Sequence, residues 1–159
     1  MFKESNLDYG IIGNCISAAL INKKGSIDWC CLPRFDSPSV FAKILDSKKG
    51  GAFEIITDSD FDITQSYLEG SCILKTKFKN SKEEFEVIDF MPRFQDEKGH
   101  YHAPPEIIRL IKPIKGTPKV KFIYQPKLEY AQGITSHENK ENHVVSYVDY
   151  PVHDSLYLY

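Results

Sequence analysis

The chain has 159 residues, 42% of them hydrophobic and 26% charged, with a formal net charge of −2. That length suits one domain, residues 1–159, which would bury about two-thirds of its unfolded surface, and the composition is globular rather than disordered. So small a charge excludes the basic field of a nucleic-acid or anionic-membrane binder, and no run reaches the ~20 apolar residues of a membrane span.

In chain order, Met1-Phe2-Lys3-Glu4-Ser5-Asn6 lacks the apolar core of a signal peptide, so the expected location is cytoplasmic. Ile16–Ile21 and Ser26–Leu32 flank Asn22-Lys23-Lys24-Gly25 and predict a β-hairpin with Gly25 at a positive φ. One short helix is expected next. Asp36 or Ser37 would cap it, Pro38 would sit in its first turn, and Val40, Phe41, Ile44 and Leu45 would form its apolar stripe. Phe53–Thr57 reads as a strand.

Cys72, Leu74, Thr76 and Phe78 alternate with lysines, and Phe85–Met91 follows a polar turn, which predicts a second hairpin. Its parity shifts at Val87-Ile88, which suggests a bulge. The stretch from Pro92 to Pro105 reads as a long loop, either functional or docked. His100 and His102 within it lack a third nearby ligand, so neither a metal nor a cofactor is expected. Ile107–Lys112 is the next strand. Val120, Phe122, Tyr124, Leu128 and Tyr130 share one parity of another, interrupted at Pro126. Val144–Tyr150 and Leu156–Tyr159 complete the pattern.

Many short strands separated by turn signals argue for a mainly β fold, an antiparallel β-sandwich. Its last strand has no polar tail, so the sandwich reads as incomplete, with an edge open to self-association. Cys15, Cys30, Cys31 and Cys72 have no zinc spacing and read as reduced thiols.

The most distinctive residues run from Asp8 to Phe41. They include Gly13-Asn14-Cys15-Ile16-Ser17-Ala18-Ala19-Leu20 and Gly25-Ser26-Ile27-Asp28-Trp29-Cys30-Cys31-Leu32-Pro33-Arg34-Phe35-Asp36-Ser37-Pro38. This resembles the N-terminal domain of family 15 glycoside hydrolases, the glucoamylase and trehalase-like group. Asp89-Phe90-Met91-Pro92, Ile108-Arg109-Leu110-Ile111 and Pro126-Lys127-Leu128-Glu129-Tyr130-Ala131 match it in order. The resemblance implies a supersandwich-like β-domain ahead of an (α/α)6 barrel. That barrel would carry two glutamates which cleave α-glucosidic bonds with inversion, one as acid and one activating water. No residue here matches those glutamates, so the chain alone is expected to be inactive, with no catalytic residue of its own. The barrel would be its partner, in cis or on a separate chain.

Within the matching segment Asp28, Trp29, Arg34, Phe35 and Asp36 combine an aromatic face, a guanidinium and carboxylates, groups suited to sugar recognition. They are the substrate-pocket candidates, with a contact to an α-glucan or trehalose in view. Against that stands a structural reading: Trp29 and Phe35 in the core, Arg34 paired locally, Asp36 as a cap. A domain that docks on a barrel should show a large exposed apolar patch when alone. Two other functions fit the sequence: a free-standing carbohydrate-binding module, which would bind maltooligosaccharides alone, and a self-associating interaction protein, which would not stay monomeric.

Overall fold

The computed structural model describes residues 8–58, 60–148 and 155–159. Six strands form the first antiparallel sheet: β1 (Tyr9–Gly13), β2 (Ala18–Asn22), β3 (Ile27–Cys31), β4 (Ser39–Phe41), β5 (Ala52–Thr57) and β12 (Val120–Gln125). Its order is β1-β2-β3-β5-β12, with β4 also pairing with β3. The second sheet contains β6 (Asp62–Tyr67), β7 (Leu74–Lys79), β8 (Glu84–Phe90) and β11 (Ile108–Lys115) in the order β11-β8-β7-β6. A small hairpin pairs β9 (Phe94–Gln95) with β10 (Tyr101–His102). The third sheet joins β13 (Ser136–Asn139), β14 (Val144–Tyr147) and β15 (Ser155–Leu158). Mainly β architecture is therefore as expected, and no helix among the described residues is long and apolar enough to cross a membrane.

Side chains from the first two sheets meet in two clusters. One gathers Ile12, Ile21, Cys30, Phe41 and Leu74, all buried, with Leu128 from the segment after β12. The other gathers Ile55, Phe78, Phe85 and Val87. Phe78 and Phe85 stack at 4.4 Å with nearly parallel rings; burying each ring stabilises the fold by about 2–3 kcal/mol. The sheets approach closely at Gly10, where a β-carbon would lie 2.5 Å from a Leu74 methyl.

The β2–β3 hairpin forms as predicted, and Gly25 takes φ +77. The β7–β8 hairpin forms too, but its register runs unbroken from Lys79↔Glu84 to Leu74↔Asp89. No bulge occurs at Val87-Ile88. The core parity continues through Phe85, Val87 and Asp89, and the carboxylate on that face is what disguised it.

The short helix at residues 36–45 is also corrected. Ser39, Val40 and Phe41 form β4, all buried against β3. Residues beyond it turn back, with the Ala42 and Lys43 N–H groups donating to the Gly50 and Gly51 carbonyls. The helical segment among the described residues is one 3-10 turn, Glu129–Ala131. The Pro92–Pro105 loop contains β9 and β10. Of the strand expected over Val144–Tyr150, residues 149–150 lie outside the described residues.

Asp89 and Arg109 tie the two sheets together. Arg109 Nε and Nη2 donate to the two Asp89 oxygens at 2.7 and 3.1 Å. Nη2 also donates to the Gly25 carbonyl at 2.8 Å, and Nη1 to the Phe53 carbonyl at 3.4 Å. Beside this clip opens a largely apolar groove of about 860 Å³, bounded by Phe53, Phe122, Ile108, Ile111, Leu156 and Leu158.

Candidate functional site

The candidate residues separate into a strand and a loop. Asp28 is buried in β3. Its oxygens accept from Ser26 Oγ at 2.6 Å, Asn22 Nδ2 at 2.8 Å and the Tyr9 hydroxyl at 3.1 Å. Trp29 is half-buried beside it, opposite Leu20.

Arg34, Phe35 and Asp36 lie together on the exposed connection from β3 to β4. Arg34 Nε donates to Asp36 Oδ1 at 2.9 Å. That guanidinium, with a backbone N–H, holds the Asp36 carboxyl below the usual carboxylate range. Phe35 is 62% exposed. The loop is closed on itself: the Arg34 N–H donates to Ser37 Oγ and the Ser37 N–H to the Arg34 carbonyl, both at 3.1 Å.

Of three neighbouring segments, two bond to this loop and the other is fastened to one of them. The first is the β1–β2 turn, where the Ile16 carbonyl accepts the Phe35 N–H at 3.0 Å. Buried Asn14 organises that turn. Its Oδ1 accepts the N–H groups of Ile16 and Ser17, and its Nδ2 donates to the Pro104 carbonyl at 2.9 Å. Asn14 thereby fastens the second segment, the β8–β11 connection, to the first. From that connection Arg93 reaches Cys15 Sγ at 3.5 Å and lies over the Tyr101 ring at 4.8 Å. Phe94 stacks on His102 at 5.3 Å. The third is the turn at Glu129–Ala131, from which the Tyr130 hydroxyl donates to the Ser37 carbonyl at 3.5 Å.

The backbone around the loop is strained. Cys15, Glu129, Tyr130 and Ala131 have φ of 71, 53, 55 and 59, all left-handed and none glycine. Such residues each cost roughly 1–2 kcal/mol, and they concentrate at functional sites where their surroundings over-determine them. All the left-handed non-glycine residues among those described lie in the two turns that touch this loop.

Sequence reading singled out Arg34, Phe35 and Asp36 but not Asn14, Arg93 or Glu129–Ala131, which the fold places around them. One signal was available: Pro33-Arg34-Phe35 is echoed by Pro92-Arg93-Phe94. The fold brings both copies to the same β1–β2 turn. Asp96 is the acidic neighbour that sequence reading did not pair with the two histidines. Its Oδ2 lies 3.2 Å from His100 Nδ1 and 3.1 Å from His102 Nε2. No group of three such side chains among the described residues is placed to hold a metal ion.

The family model "Trehalase-like, N-terminal" matches residues 7–153. Trehalase 2 of Sulfolobus acidocaldarius is 45% identical over 130 residues, covering 82% of this chain and 20% of that protein. The trehalase of Thermoplasma volcanium is 36% identical over 127 residues, 78% of this chain and 20% of its own length. The trehalase of Mycobacterium tuberculosis is 28% identical over 139 residues, with 77% of this chain and the same 20% share of that protein covered. The chain thus spans about a fifth of the length of these relatives. No solved structure matches it.

Proposed function

The chain belongs to the trehalase-like N-terminal family, and from that premise we propose that it is the non-catalytic N-terminal domain of an α-glucosidic hydrolase of the glucoamylase/trehalase type. Its task is to support an (α/α)6 catalytic barrel and to form part of the wall of the substrate pocket. Residues 1–159 would make one domain, and the paired acid and base that an inverting glycosidase needs would sit on the barrel. The two buried carboxylates, Asp28 and Asp89, fit that reading, because each is engaged by donors inside the β-domain.

The observation that carries the proposal is the concentration of left-handed backbone around an exposed loop bearing Arg34, Phe35 and Asp36. Strain of that kind disfavours folding and is maintained where geometry matters. The loop offers a guanidinium, a ring face and a carboxylate, and the Arg34–Asp36 pair fixes their directions. Asp28 and Trp29 would act from behind, by holding β3. Trehalose is the substrate suggested by the relatives' names.

The test joins this chain to the remaining four-fifths of the Sulfolobus acidocaldarius trehalase 2. Arg34→Ala and Asp36→Asn should each lower kcat/KM for trehalose by roughly tenfold, about 1.4 kcal/mol of transition-state binding, with unchanged melting. Unaltered kinetics in an intact fold would remove the pocket role. Release of glucose from trehalose by the 159-residue chain alone would overturn the non-catalytic reading.

A further inference from the structure

Free strand edges are templates for unwanted pairing, and folded proteins blunt them. The β1 edge is plugged: the Tyr67 hydroxyl accepts the Ile11 N–H at 2.7 Å and donates to the Ile11 carbonyl at 2.9 Å. The β6 edge is polar, Asp62-Ile63-Thr64-Gln65-Ser66-Tyr67. The edge at β11 is neither. It is eight residues long and exposes Ile108 at 37%, Leu110 at 53%, Ile111 at 37% and Ile114 at 46%.

Both faces of β11 carry apolar residues. Ile108 and Leu110 stand opposite Phe90 and Ile88 on the outer face. Arg109 and Ile111 stand opposite Asp89 and Val87 on the core face, and both line the large groove. One side of β11 pairs with β8 and the other pairs with no described strand. Apolar residues on two faces of a free edge suit a strand that is interior to a sheet.

We propose that β11 is the acceptor for a further β-strand, donated by the remainder of a trehalase-length polypeptide. The incoming strand pairs along Ile108–Lys112, since Pro113 has no N–H to offer. It is apolar on both faces, filling the groove on one, and carries a carboxylate where it meets Lys112. A second copy of this chain fits less well, because antiparallel pairing over Ile108–Lys112 would set each Lys112 opposite an apolar Ile108 with no carboxylate to meet it. The inference rests on the functional reading above, because the donor is the four-fifths of the relatives that this chain does not span.

Site-resolved amide exchange tests it, measured on the chain alone and joined to the rest of the Sulfolobus acidocaldarius trehalase 2. Joining should slow the outward-facing amides of β11 by at least about 100-fold and leave those of β6 unchanged. Leu110→Lys should leave the melting of the isolated chain unaltered and lower that of the joined protein. If β11 exchanges equally in both while the Pro33–Ser37 loop gains protection, the acceptor role is overturned and the functional reading stands. If no segment gains protection, both fall. Protection of β11 that develops when the isolated chain is merely concentrated would assign the edge to a second copy and overturn the proposal.

Discussion

Replacing Arg109 by methionine should cost the domain about 4–7 kcal/mol. The arginine side chain is 5% exposed and its Asp89 partner 0%. Removing one member of such a pair strands the other charge in the interior, which costs roughly 3–5 kcal/mol. The Gly25 and Phe53 carbonyls lose donors as well, at about 1 kcal/mol for a hydrogen bond of ordinary strength. Against the 5–15 kcal/mol that typically holds a domain together, the variant should be close to unfolding in water. Urea denaturation reads this directly as a lower midpoint at constant slope.

The pH dependence gives the sign independently. Burial pushes the Asp89 carboxyl up and the Arg109 guanidinium pulls it part of the way back. A carboxyl with a higher value folded than unfolded favours folding while protonated, and that contribution fades as pH rises through the folded value. Without Arg109 only burial remains and the upward shift grows. The deficit of Arg109→Met should therefore be smaller near pH 4 than near pH 7. Combining Asp89→Leu with Arg109→Met removes both charges at once and should restore much of the loss. A single variant that loses less than about 1 kcal/mol, or a double variant worse than the single, would show that the Asp89–Arg109 pair does not hold the two sheets together.

Two further outcomes follow from local environments. Burial and the neighbouring Cys31 push the Cys30 thiol up to about 12, and burial raises Cys31 too, whereas Cys15 and Cys72 are exposed. A disulfide reagent at mildly alkaline pH should modify Cys15 and Cys72 in the folded chain and reach Cys30 and Cys31 only on unfolding; rapid reaction of all the thiols would contradict the buried β3. Ala131→Gly relieves one left-handed residue at φ 59 and should raise the stability of the isolated chain by up to ~1 kcal/mol. A loss of stability in that variant, by thermal melting, would show that the turn is not strained.

Strands with a clear alternation or a glycine-marked turn were legible. The β2–β3 hairpin could be read from its alternation and Gly25, and β7 from lysines alternating with Leu74, Thr76 and Phe78. Asp89 defeated the reading of β8, because its justification, Arg109, lies 20 residues away on another strand. The false helix arose because Asp36, Ser37 and Pro38 carry capping chemistry while Val40, Phe41, Ile44 and Leu45 fall at helical spacing. Pairing of β4 with β3 overrode that local preference, burying Ser39, Val40 and Phe41 together. Strand β6 was missed because its residues are largely polar, as suits the outer strand of a sheet.

The site divides in the same way. Arg34, Phe35 and Asp36 are adjacent in sequence, so their proximity needed no fold. The elements that hold them come from residues 14–17 and 129–131, and no local pattern announces a left-handed turn built from Glu, Tyr and Ala. Such a turn needs support, and the structure supplies it. Leu128 and Pro126 are buried just before it. The Leu128 N–H donates to Thr135 Oγ1, and the Ala131 and Gln132 N–H groups close the turn onto the Leu128 and Glu129 carbonyls at 3.0 Å. Three left-handed residues at roughly 1–2 kcal/mol each amount to a large part of a domain's net stability. A glycine would remove much of that cost at any one of them. Selection for folding alone would favour glycine there; a Tyr130 hydroxyl directed at Ser37 gives a reason for keeping the strained turn, because it braces the loop that presents Arg34 and Phe35.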